Sequence, residues 1–276
     1  MQIKSLGFIL CSLLFFSGAL VAQEFQGKAV YASKTVVSTD FGDSKIPEYV
    51  KKKIMKRRTE YSQKTFELHF DKIASMYKEQ VKLETGEGRS DRGRMYASMF
   101  GGAMMGAFYK NAADKQSIRA IEFFGKDFLI EETLKPFAWK LVKETKQIGQ
   151  YTCFKAIVSI EQPIKAPSFW KKEKDTVAAS DTPTTEMVLV TAWYTPQIPV
   201  STGPSNYWGL PGLILGIQSE KEQLWCTKIV LNVKEKKALK APKKGKKMTQ
   251  EAFDTLVKER SDEVREQFRR KRSNKR

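Results

Sequence analysis

Histidine is almost missing from this 276-residue chain; His69 is the only one. Any imidazole base, Ser-His-Asp relay or histidine metal site would have to be built around that residue. Cysteine is scarce as well. Cys11, Cys153 and Cys226 form no C-x-x-C pair, which argues against a dithiol redox centre. No G-x-S-x-G elbow and no H-E-x-x-H helix occurs. Long apolar runs are also lacking beyond the first two dozen residues. The longest, near 188–194 and 208–217, have the length of strands, well short of the roughly 20 residues a membrane helix needs.

Negative charge is in short supply too. Lys and Arg total 49 against 31 Asp and Glu, a net charge of +18. Over half of that excess is local: Lys234–Arg276 carries 17 basic and 7 acidic residues, a net of +10. The body is only moderately basic, so the tail needs an explanation of its own.

The N-terminus reads MQIKSLGFILCSLLFFSGALVAQ. One Lys precedes an apolar run that ends in small residues, the layout of an export signal with cleavage after Ala22. An uncleaved anchor is the alternative reading. Cys11 lies inside the apolar run and is discarded with the signal. In an oxidising compartment Cys153 and Cys226 either pair or remain two buried thiols, each a small apolar residue on a strand.

Alternation and β-branched residues predict a series of strands. Residues 25–38 read as a long first strand, and 65–71 with 73–84 as a hairpin. A short basic helix is expected over 46–58, with Val50, Ile54 and Met55 on one stripe. Residues 85–116 and 163–185, rich in Gly, Met and Pro, read as irregular inserts. Further strands are expected at 117–160, 186–195, 213–217 and 224–235. Short links between neighbours require antiparallel pairing. A basic linker from 236 then leads into a helix with Thr249 as N-cap and Phe253, Leu256, Val257, Val264 and Phe268 as its apolar stripe. The expected class is mainly β: a curved antiparallel sheet or half-barrel, with one short helix near the N-terminus and a basic C-terminal helix. The signal (1–22), a single body (23–235) and the tail (236–276) are its parts.

The stretch YWGLPGLILGIQ, 207–218, is the most distinctive. Leu210-Pro211-Gly212-Leu213 fits a type II turn, Pro at the second position and Gly at the third. Leu213, Ile214, Leu215 and Ile217 then read as a strand covered on both faces. Gly209 and Gly216 allow close approach of another backbone. That marks Gly209, Leu210, Pro211 and Gly212 as a structural turn.

These residues carry a resemblance. The segment 192–217, with 128–160 upstream, resembles the GLPGLI family of exported proteins of unknown function. In the upstream segment Trp139, Gly149, Tyr151, Cys153, Lys155 and Ala156 stand at the matching positions. Gly216 departs from the family pattern, where an acidic residue is common. The resemblance implies an exported β-rich protein and no particular activity.

Candidate chemistry is thin. His69 and Asp71 share a strand face, the spacing of an oriented imidazole. Met95, Met99, Met104 and Met105 are soft donors for Cu(I) or adaptable apolar contacts. The aromatics offer more: Trp139, Trp193, Tyr207 and Trp208 are the candidate ligand-binding residues, lining an apolar cleft. No metal and no cofactor is expected, and no nucleic acid, since no finger, helix-turn-helix or aromatic platform accompanies the charge. Two functions fit. One is a non-enzymatic exported protein that binds an apolar or amphipathic ligand on a curved sheet. The other is a structural or interaction subunit at the cell envelope, periplasmic or outer-membrane-associated, whose basic tail meets an anionic surface.

Overall fold

The structure, a computed structural model, describes residues 25–35, 47–52, 63–80, 106–163, 185–220, 222–233 and 238–273. Its strands are β1 (Gly27–Thr35), β2 (Gln63–Phe70), β3 (Ala74–Glu79), β4 (Ala107–Asn111), β5 (Gln116–Phe123) and β6 (Lys126–Thr133). After them come β7 (Lys140–Ile148), β8 (Tyr151–Pro163), β9 (Thr185–Thr195), β10 (Leu213–Gln218), β11 (Glu222–Leu231) and β12 (Lys246–Met248). All twelve join one open sheet in the order β12-β6-β5-β4-β3-β2-β1-β11-β10-β9-β8-β7. The chain is thus mainly β, as its alternation predicts. Two meanders, β1 to β6 and β7 to β11, are joined edge to edge where β11 pairs with β1. Every neighbour pair is antiparallel except β12 and β6, which run parallel.

Local sequence explains most of the turns. Asp71 Oδ1 accepts from the backbone N–H groups of Ile73 and Ala74, at 2.7 and 2.6 Å, and so closes the β2–β3 link. Phe124 and Gly125 both have positive φ, which makes the two-residue β5–β6 hairpin twist with its strands.

One sequence expectation needs correction. The insert read as irregular from 85 to 116 contains β4. Lys110 interrupts its apolar pattern, yet Lys110 is itself buried, so the polarity is misleading. The helix expected over 46–58 is present at 48–52, and 53–58 lie outside the described residues. The methionines at 95, 99, 104 and 105, and insert residues 164–184, also lie outside them.

Bends are built in by register shifts. Pairing slips between Val30 and Tyr31 in β1, between Ile214 and Gly216 in β10 and between Val142 and Thr145 in β7. Bulges of this kind bend strands and increase twist. The curl is visible in what touches. Lys110 on β4 and Tyr31 on β1 both bond to the 203–214 segment beyond β9, although four strands separate β4 from β10. The main core lies on this inner face, where Tyr31, Phe66, Leu68, Val190, Ala192 and Ile214 pack together.

The C-terminal segment clasps the far edge. Leu239 and Ala241 pack on the outer face of β3–β6 against Ala74, Tyr109, Ile118 and Leu129. β12 extends the edge. The helix α1 (Gln250–Ser273) then crosses to the inner face and inserts Phe253 among Ile121, Phe123, Phe128 and Ile130. Thr249 Oγ1 accepts from the Ala252 N–H at 3.2 Å, the expected N-cap. Arg119 donates to Gln250 Oε1 at 2.8 Å, and the Gln250 N–H reaches Glu132 Oε1 at 2.7 Å. The sheet therefore runs past residue 236, where sequence reading ends the body. Phe253→Ala should cost roughly 3–5 kcal/mol, the usual figure for emptying a buried phenylalanine site. Urea unfolding measures it; a cost under about 1 kcal/mol would mean the helix is only loosely attached.

Candidate functional site

The GLPGLI turn and the strand after it occupy the inside of the molecule. Leu213, Ile214, Leu215 and Ile217 are all fully buried. The expected type II turn is not formed. Gly212 donates to the Leu210 carbonyl at 2.8 Å, an i to i+2 turn around Pro211, and Leu213 donates to the Ile198 carbonyl instead. The glycines therefore divide the work differently from the expectation. Gly209 has φ of +92° and open space around it, so conformation requires it. At Gly212 φ is +156° and a Cβ would lie 2.2 Å from the Thr195 carbonyl oxygen, so conformation and close approach both require glycine. Gly216 makes room for the ring of Trp225, which an added Cβ would meet at 2.5 Å.

Residues 196–212 form a plug across the inner face. Ile214 donates to the Thr202 carbonyl, and Tyr31 donates from its phenol to the Ile214 carbonyl at 2.7 Å. The Ser75 and Thr202 hydroxyls bond at 2.8 Å. The firmest tie is Lys110. Its Nζ donates to the carbonyls of Gly203, Ser205 and Tyr207 at 2.7, 2.9 and 2.8 Å, and the residue is 2% exposed. Three acceptors match the three N–H donors of an ammonium. Burial pulls the Lys110 pKa down to about 7.

Of the four aromatics expected to bind ligand, three meet. Phe137, Trp139 and Tyr207 stack with centroids 5.5 to 6.4 Å apart. Trp139 donates to the Trp208 carbonyl, and Trp208 donates to that of Lys135. These indoles pin the plug to the β6–β7 link. The adjoining cavity, lined by Ala74, Lys110, Thr202 and Trp208, measures about 10 Å³, room for a single water. Larger clefts of about 320 and 250 Å³ open to solvent at the ends of strands, beside Lys244 and beside Tyr151.

Trp193 lies elsewhere, on the outer face. Trp193 and Trp225 both pair with Gly216 across β9, β10 and β11. Lys146 lies 5.6 Å from the Trp193 ring and 4.5 Å from that of Trp225, and Lys155 lies 5.8 Å from Trp193. The residue pattern marks Trp193 as a candidate but does not bring Trp193, Trp225 and these lysines together. The strand register that brings β7 over β9 was the information needed.

His69 does not engage Asp71, whose carboxylate is committed to its turn. Its Nε2 faces Glu67 at 3.2 Å. Partial burial pushes the Glu67 carboxyl up, but Lys28, His69 and Gln80 outweigh it and hold it down at about 2. Such a group stabilises the fold above its unfolded value near 4.5, and that stability is lost as pH falls from 4.5 toward 2. Glu67→Gln should flatten this part of the curve of stability against pH. An unchanged slope between pH 4.5 and 2 would contradict the pairing.

Cys153 and Cys226 stand as free thiols, not a disulfide. Each turns toward a carbonyl of its own strand, Tyr151 at 3.7 Å and Lys228 at 3.6 Å. Burial pushes them up to about 11 and 12, which leaves little thiolate at neutral pH.

Together these features define a β-sheet protein whose inner face is filled by its own loop. The resemblance seen in the sequence holds: a family described as "Protein of unknown function (Porph_ging)", of the GLPGLI type, matches residues 139–216. No curated protein matches. Two solved structures are similar to this chain, "Structure of PNGF-II in C2 space group" and "Structure of PNGF-II in P21 space group". Each has 12% sequence identity and a TM-score of 0.49 over 84% of this chain. The chain spans about a third of the length of either, 32% and 33%.

Proposed function

We propose that this is an exported, non-enzymatic protein of the cell envelope that works as an interaction subunit through its outer surfaces. One observation carries the reading. The concave side of the sheet, where an apolar ligand would lie, is taken up by the chain's own 196–212 segment, clamped by Lys110 and Tyr31. The interaction reading is therefore favoured over an apolar ligand in the sheet.

The tail supplies the attachment. Its first turns are docked through Phe253, while basic residues gather at the far end: Arg269, Arg270, Lys271 and Arg272 fall in the last turns of α1. Deleting everything from 236 would remove β12 and Phe253, so a gentler change is the right test. In Arg269→Gln, Arg270→Gln, Lys271→Gln, Arg272→Gln the envelope-bound fraction should fall severalfold at low salt, and high salt should release the unaltered protein in the same way. Salt-insensitive association unaffected by the four changes would defeat the tether.

A further inference from the structure

We infer that the outer face of β1 and β7–β11 is a binding track for an acidic polysaccharide. This deepens the proposed interaction role and rests on it. Three observations meet here.

The first is fixed positive charge. Lys146 is held over two indoles, and no carboxylate lies within ion-pair distance of it among the described residues. A lysine stem laid on aromatic rings loses freedom before any ligand arrives, so its ammonium is presented with less ordering cost on binding. The second is the row beside it. Register aligns Lys140 with Ile157, Thr191, Gln218, Gln223 and Lys34, one residue per strand. With neighbouring strands about 4.8 Å apart, the two terminal lysines lie roughly 24 Å apart. Between them stand Ile157, one hydroxyl and two carboxamides, and the last three exchange hydrogen bonds with sugar hydroxyls. The third is charge balance. On this face Lys155 is neutralised by Glu144 and Lys28 by Glu67, whereas Lys34, Lys140, Lys146 and Lys228 have no carboxylate partner among the described residues.

This pattern selects among polyanions. Single-stranded nucleic acid needs open aromatic faces for stacking, but Trp193 is 6% exposed beneath its lysines. A membrane surface calls for apolar tips among the cations; the row itself holds one half-buried apolar residue, Ile157, beside a hydroxyl and two carboxamides, and the exposed Leu189 and Met187 lie outside it along β9. A flexible chain bearing hydroxyls and spaced carboxylates fits both the length and the chemistry.

The test is calorimetric titration of the full chain with polygalacturonate at low salt, with dextran as the neutral comparison. Parallel runs use an oligonucleotide of equal charge and phosphatidylglycerol vesicles. Binding to polygalacturonate and not dextran is expected. It should weaken more than about tenfold in Lys34→Gln, Lys140→Gln, Lys146→Gln, Lys228→Gln. The three changes at Lys34, Lys140 and Lys228 alone, without Lys146, should weaken it to a smaller extent and leave the fold untouched. The tail variant should bind like the unaltered protein. Undiminished affinity in the lysine variants overturns the track, as does tighter binding of the oligonucleotide or vesicles through the same lysines. Loss of binding in the tail variant alone also overturns it, yet leaves the tethered interaction reading standing.

Discussion

Lys110→Met is expected to lower stability by about 3–5 kcal/mol, because it removes a buried amine donor and strands two buried carbonyls and one half-buried one. Met keeps the length and most of the volume, so packing loss is minor and the cost reads the hydrogen bonds. In a domain of this size the melting temperature should drop by roughly 10 °C. The change should also remove a pH dependence. Burial lowers the folded-state pKa of Lys110 from 10.5 to about 7, so between those values the unfolded chain binds more protons and stability rises with pH. Lys110→Met should lack that rise. A cost under about 1 kcal/mol, with the slope intact, would show that the plug is held by packing alone.

Gly212→Ala should be comparably damaging, about 3–5 kcal/mol or failure to fold, in the range of severe overpacking against backbone. Its added methyl would sit 2.2 Å from the Thr195 oxygen and 2.8 Å from the Pro196 nitrogen. Neither is the end of a flexible side chain, so β9 or the turn would have to move. Gly209→Ala is the control. There the methyl meets nothing closer than Trp139 at 3.9 Å, and only the φ of +92° is strained. A cost of about 1–2 kcal/mol is expected. Both positions carry positive φ, +92° and +156°, so the excess cost at Gly212 reads the contact, and equal effects would mean that the Thr195 contact adds nothing. Chemical denaturation of the two variants side by side makes the comparison.

Much of the fold was legible because the body alternates. The strands β5 to β9 and the buried β10 follow from period-two patterning and short turn signals, and the helix cap at Thr249 from one residue type in its place. What failed has physical causes. β4 was hidden because a charged residue in a strand reads as surface, whereas Lys110 finds three carbonyls supplied by residues about 95 positions away. β12 is three residues in a lysine-rich stretch and depends on the edge of β6 for its existence. The turn at Pro211 was assigned from residue type, but the nearby Thr195 and Ile198 carbonyls dictate its geometry. The site was less legible still. Trp193 and Trp225 are remote in sequence, and their lysines come from different strands. Only the long-range register makes a surface of them.

Hydrogen exchange of the Leu213 and Ile214 amides tests the account most directly, since they donate to Ile198 and Thr202 and lock the plug to the sheet. Exchange through global unfolding alone, with protection equal to the full stability of the domain, is the expected result. Exchange at a far lower opening energy, while β1 and β2 stay protected, would mean that the segment swings away and leaves an open apolar face, contradicting a permanently filled interior.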